Sequence, residues 1–140
     1  VVNGMPLVYS GQEAGLDRSL AFFDKDLIQW KEHPNAGIYK QLFALKHRNQ
    51  ALWNGVWGGE MVRICNNKKE QVISFVREKN GFRVLPVINF SDKTVVVKLD
   101  TKYYDGAYTE LFSGKTFKLT GEDTFTLDPW GYLVLTQEQK

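Results

Sequence analysis

Apolar and polar positions divide the chain into three stretches of different period. The first is a short apolar run, Leu7-Val8-Tyr9, opened by Pro6 and stopped by Gly11, with Gln12 and Glu13 directly after it. Proline suits the first position of a strand but not the interior of a ladder. An unbroken apolar run of this length predicts a strand covered on both faces, as in parallel sheets and barrels. Such a strand needs neighbours on both sides and the sequence offers none before it, so the expectation is a piece of a longer protein. Residues 11–33 follow no sustained period and predict a long irregular connection, a kind of loop that is often functional. A helical period then takes over. Ile38, Leu42 and Leu45 share one face with Tyr39 and Phe43 beside them, while Lys40, Gln41, His47 and Arg48 fall mostly on the other. This predicts an amphipathic helix over roughly residues 36–51, begun at His33-Pro34-Asn35 with Asn35 as cap. Trp53-Asn54-Gly55 ends it.

Beyond residue 59 the chain turns β-rich. Strands are predicted at 61–65, 71–77, 82–90, 94–99, 107–112, 116–119, 124–127 and 132–136, separated by turn residues. Asn80-Gly81 is the strongest hairpin signal, because two residues tolerant of positive φ match the twist of paired strands. Pro86 inside the third run predicts a bulge or a break. Short strands at this spacing predict an antiparallel β-sandwich. The helix-to-strand change near residue 55 divides the chain into residues 1–55 and 56–140, and the polar residues 137–140 read as a frayed end.

A chain of 140 residues, 43% of them apolar, fits one globular unit with a real core. It is too short for a complete (β/α)8 barrel, which takes about 250 residues. The formal charge of +2 gives no basis for nucleic-acid or anionic-membrane binding. Cys65 is the only cysteine, so no internal disulfide forms, and a buried structural thiol is expected there. His33 and His47 lie at opposite ends of the predicted helix, which disfavours a zinc site. Ser10 lacks the Gly-x-Ser-x-Gly elbow. The acid pairs Glu13 with Asp17 and Asp24 with Asp26 read as solvated loop acids rather than a catalytic pair. Aromatic residues make up 14% of the chain, and exposed rings present apolar faces suited to sugars. Trp53, Trp57 and Tyr104 are the candidate sugar-stacking rings, against the competing reading of core and interface packing.

The run Gly4-Met5-Pro6-Leu7-Val8-Tyr9-Ser10-Gly11-Gln12-Glu13 resembles the last barrel strand of the α-amylase family of glycoside hydrolases. Phe22-Phe23-Asp24 and Ile28-Gln29-Trp30 resemble the loop after that strand, and residues 38–52 resemble the final barrel helix. Val87-Ile88-Asn89-Phe90-Ser91 and Pro129-Trp130-Gly131-Tyr132-Leu133-Val134-Leu135 resemble the all-β domain that closes such enzymes. The resemblance implies a mainly β chain: an antiparallel β-sandwich C-terminal domain preceded by a remnant (strand, loop, amphipathic helix) of a (β/α)8 barrel. It implies a retaining parent enzyme acting on α-1,4-glucans, whose catalytic Asp, Glu and Asp all lie upstream of Val1, so that this chain holds none of them. The sandwich would stabilise the barrel of the same parent chain. In a parallel barrel, segments after the strand ends face the substrate, which makes Gln12, Glu13 and Arg18 candidate substrate-side residues. No cofactor is expected in the chain, although calcium is common in such parents. The alternatives are a carbohydrate-binding module with an aromatic platform, or a structural or interaction domain. Self-association through the orphan strand at residues 7–9 is a further expectation, and the compartment stays open.

Overall fold

The computed structural model describes residues 1–138. One α-helix, α1 (Pro34–Arg48), precedes eight strands. These are β1 (Val62–Arg63), β2 (Val72–Lys79), β3 (Phe82–Asn89), β4 (Val95–Asp100), β5 (Gly106–Glu110), β6 (Thr116–Leu119), β7 (Glu122–Leu127) and β8 (Tyr132–Gln137). Short 3-10 turns lie at Gln12–Ala14, Gln50–Leu52 and Gly55–Trp57. Six strands form one sheet in the order β1-β2-β3-β8-β5-β6, and β4 pairs with β7 in a second. Every pairing is antiparallel. The chain is thus mainly β, as its turn-separated short runs predict.

Burial along each strand follows from the number of covered faces. In β4 buried Val95, Val97 and Leu99 alternate with exposed residues, and β7 buries Phe125 and Leu127 in the same rhythm. One face of this small sheet packs inward and the other meets water. In β3, Val84, Leu85, Pro86 and Val87 are buried in succession, because the large sheet is covered on both sides. Its inner face brings Val72, Val76, Leu85, Val87 and Leu135 against Val95, Val97, Leu99, Phe125 and Leu127. Its outer face brings Val84 and Val134 against Leu45 from α1 and Ala51 and Leu52 from the helix exit. The result is three layers: small sheet, large sheet, helix with its exit.

All eight predicted strand runs form. Asn80 and Gly81 take φ of 49° and 80° and close the two-residue hairpin between Lys79 and Phe82. Pro86 breaks the β2–β3 pairing without a bulge: pairing is kept at Ser74–Val87 and Arg77–Val84, in one unshifted register. Proline has no N–H to give to β2, whereas Pro86 still pairs with Val134 on β8.

Four expectations need correction. Residues 7–9 form no strand: Leu7 is 88% exposed, and no ladder partner lies beside the segment among the described residues. Without strands beside it the segment has no ladder to join, and the bonds made at Tyr9 are local ones to Gln12. The helix begins at Pro34, with His33 as its N-cap: Asn35 N–H donates to His33 Nδ1 at 3.2 Å. Asn35 therefore sits inside the first turn, and its side chain donates instead to Gln12 O. Cys65 is exposed, not buried; buried Ile64 precedes it, and period-two geometry turns the next side chain outward. At the carboxyl end, Gln137 belongs to β8 and Glu138 accepts a 2.9 Å hydrogen bond from Arg48 Nε. Gln139 and Lys140 lie outside the described residues.

Candidate functional site

The loop that follows residues 7–9 is built on two glycines and an ion pair. Gly11 and Gly15 flank the Gln12–Ala14 turn with φ of 92° and 71°, values that favour glycine. At Gly15 a Cβ would also strike the His33 ring. Gln12 serves the turn itself: its N–H donates to Tyr9 O and its Oε1 accepts from Tyr9 N–H at 2.9 Å. Glu13 is half-buried, and its Oε2 is shielded from solvent with no hydrogen-bond partner among the described residues. Arg18 forms a bidentate pair with Asp26, at 2.6 and 2.7 Å. It also donates to the carbonyls of Ser19 and Leu27, so one guanidinium ties the neck of the loop. Asp26 accepts from Ala21 N–H as well. Arg18 and that backbone donor hold the Asp26 carboxyl down to about 2, and Asp26 raises Arg18 in turn. At the tip of the tied loop Phe22 and Phe23 are 90% and 93% exposed, with ring centroids 4.8 Å apart, edge to face.

The three candidate sugar-stacking rings are held differently. Trp53 is partly exposed and its Nε1–H donates to His47 O at 3.3 Å. Trp57 is 69% exposed. Tyr104 is half-buried against the sandwich core, with the Arg83 guanidinium 5.6 Å from its ring centroid. Trp53 shares a groove with Met5, Pro6, Phe43, Lys46, His47 and Asn54. Tyr104 lines a separate one with Gly58, Gly59, Glu60, Glu78 and Lys79. Gln12, Glu13 and Arg18 line neither groove. The structure therefore does not gather the six candidates into one place.

The residue that sequence reasoning missed is Arg77. It is 2% exposed in the middle of the molecule. Arg77 Nε donates to Gly59 O at 2.8 Å, Nη2 to Trp53 O at 2.8 Å, and Nη1 to Val2 O at 3.2 Å. Among the described residues no carboxylate meets it, and all its partners are carbonyls. Burial pulls the guanidinium below its ordinary value. Lys46 stands on the same joint, donating to the carbonyls of Leu52 and Gly4 and to Asn54 Oδ1. Burial first, and Arg77 second, lower the Lys46 ammonium. Period-two counting puts Phe75 and Arg77 on one face of β2, so an arginine on a buried face was the available signal.

Among the described residues no three His, Cys, Asp or Glu side chains converge.

A small and a large antiparallel sheet with a helix-bearing segment on the outer face define a β-sandwich domain of the type that closes α-amylases. The family model described as "Maltogenic Amylase, C-terminal domain" matches residues 62–134, just over half of the chain, and the chain belongs to that family. It is the C-terminal part of an α-amylase-type protein. Alpha-amylase 2 of Dictyoglomus thermophilum is 26% identical over 129 residues, covering 83% of this chain and 21% of that protein. The chain therefore spans about a fifth of that relative's length. Among solved structures, a noncanonic maltogenic α-amylase, AmyB from Thermotoga neapolitana, superposes with a TM-score of 0.80 at 22% identity, over 99% of this chain and 34% of that one. CldA, described as a cyclomaltodextrin glucanotransferase with a three-domain ABC distribution, gives 0.71 at 21% identity, over 99% and 30%. At these identities the likenesses speak for the fold.

Proposed function

We propose that this chain is the non-catalytic C-terminal part of a retaining glycoside hydrolase acting on α-1,4-glucans, in which the β-sandwich stabilises the catalytic barrel. Residues 1–55 would supply the last strand, its loop and the last helix of that barrel, and residues 56–140 the sandwich. The observation that carries this reading is where apolar side chains are left in water. Met5, Leu7, Phe22, Phe23, Leu27 and Trp30 are all exposed within the first 30 residues and belong to no buried cluster, whereas the exposed apolar residues of the sandwich, among them Trp57, Tyr103 and Trp130, stand on a body with its own closed core. On α1 only Leu45 is sealed, and Ile38, Tyr39, Leu42 and Phe43 are half-buried. An amphipathic helix whose apolar stripe is covered at one end only has room for a second packing partner. A barrel preceding the chain would supply that partner and the neighbouring strand that residues 7–9 lack. In such a parent, Gln12, Glu13 and Arg18 stand on the substrate side of the strand exit.

The test has two parts. The chain by itself should release no reducing sugar from starch above a heat-killed blank, and measurable hydrolysis would overturn the reading. The parent enzyme deleted from residue 56 onward should melt well below the intact parent; equal melting would remove the stabilising role.

A second reading rests on the exposed ring of Trp57. The sandwich would then bind glucan, and native electrophoresis through starch gel would show retardation that Trp57→Ala abolishes. Self-association would draw on the exposed apolar residues of the first 30 rather than on a formed strand edge. A single monomer mass across a sedimentation concentration series would exclude it.

A further inference from the structure

Arg77 joins two stretches of chain that lie far from it and from each other in sequence, the start of the chain and the helix exit at residues 53–59. Its fork reaches the carbonyls of Val2, Trp53 and Gly59, and it projects from β2, opposite Val84 on the helix-facing side of the large sheet. Lys46 adds a hold on Gly4 O from the helix side. Among the described residues, no backbone-to-backbone hydrogen bond involves residues 1–8. The segment that leads into Gly11-Gln12-Glu13 is therefore hydrogen-bonded to the rest of the molecule chiefly by two cationic side chains. It lies over a small apolar cavity of about 160 Å³, lined by residues 1–8, Tyr39, Leu42, Phe43, Lys46, Leu52 and Arg77.

An arginine buried without a carboxylate is costly as a stabilising device, because its charge loses hydration and only carbonyl dipoles offset the loss. An apolar residue on that face would fill the space at lower cost. What arginine adds is direction: a planar fork fixes three carbonyls relative to one another. We propose that Arg77 is a positioning residue through which the β-sandwich holds the segment entering the Gln12–Glu13 loop. This rests on the reading of that loop as substrate-side in the parent. The sandwich would then do more than cover apolar surface, since it would set where the strand exit lies.

The test uses Arg77→Met, which keeps apolar bulk and removes the fork, and Arg77→Lys, which keeps charge with a single donor point. In the chain itself, chymotryptic cutting at Leu7 and Tyr9 should speed up about tenfold in R77M, the effect of losing charge-assisted hydrogen bonds on a local opening. R77K should fall between. Hydrogen exchange at Val87 and Val97, inside the sandwich, should be unchanged in both. Equal loss of protection at Val87 and Val97 would make Arg77 a stability residue only, and unchanged cutting would remove the coupling; either result overturns the proposal. If R77M does not fold, Lys46→Met answers the same question through the Gly4 contact, with the same outcomes on either side. In the full-length parent, R77K should lower kcat/KM on maltooligosaccharides severalfold at unchanged melting temperature. Selective loosening in the chain with unchanged kinetics would keep the anchor and remove the substrate-side reading of the loop.

Discussion

Leu45→Ala tests whether the helix layer and the sandwich are one cooperative unit. Leu45 is fully buried in the last turns of α1 and packs with Ala51, Leu52, Val84 and Val134. Two of these partners lie on central strands β3 and β8. Removing an isopropyl group loses roughly 2.4 kcal/mol of transfer free energy, at about 0.8 kcal/mol per carbon. The surrounding sheet is held by ladders on both sides and cannot collapse into the space, so a cavity term brings the total to about 3–4 kcal/mol. For a chain of this size that lowers the melting temperature by roughly 10 °C. Leu42→Ala is the control: Leu42 is half-buried, and its loss should cost only about 1 kcal/mol. Differential scanning calorimetry and far-ultraviolet circular dichroism, followed together, give the answer. A single transition displaced as a whole by L45A would show that α1 and the sandwich unfold together. The reasoning would be refuted by a split melt in which an early helical transition moves and the β transition stays at its wild-type temperature. It would equally be refuted if L45A and L42A cost the same.

Further outcomes follow from particular residues. Asn89, 1% exposed, donates to the carbonyls of Lys93 and Asp128 and accepts from Ser91 N–H and Oγ–H, which ties the β3–β4 turn to the approach to β8. Asn89→Ala leaves those groups unpaired and should cost about 2–4 kcal/mol by urea denaturation; a loss under 1 kcal/mol would contradict the clamp. Trp130 takes φ of 57° in an exposed turn, a conformation that costs a side-chain-bearing residue about 1–2 kcal/mol. Trp130→Gly should leave the melting temperature unchanged or raise it, while Trp130→Val should lower it. Asp26 is held down to about 2 from an ordinary 3.8, so its contribution is present above that ordinary value and lost as pH falls through about 2. Acid titration followed at the Ala21 amide by NMR should show the loop intact at pH 4 and released only near pH 2. Release centred at the ordinary carboxylate value would mean that the Arg18 pair does not form.

The β-sandwich was legible because its evidence is local. Asn80-Gly81 dictates a two-residue hairpin by backbone sterics alone, and short β-prone runs set off by turn residues, such as 94–99, mark the strands. Even the break at Pro86 follows from one missing N–H. Gln12 and Arg18 could be assigned to the irregular connection after residue 11, but not their uses, because their partners Tyr9 and Asp26 are fixed by how the loop folds back. The state of residues 7–9 was misread for the opposite reason. An apolar run specifies only that it is fit for a covered strand, and whether strands stand beside it is decided elsewhere.

What the sequence determines by itself is therefore the succession of the helix and the sandwich strands, and the α-amylase-type family. Tertiary structure alone decided three further matters. It placed the helix exit, with Leu45, Ala51 and Leu52, on the outer face of the large sheet. It left Cys65 in water. It brought Val2, Trp53 and Gly59 to a single guanidinium on β2. The physical reason is one of range. Backbone sterics and period-two patterning act between residues a few positions apart, whereas a carbonyl far along the chain becomes a hydrogen-bond partner only after the layers have packed and excluded water from between them.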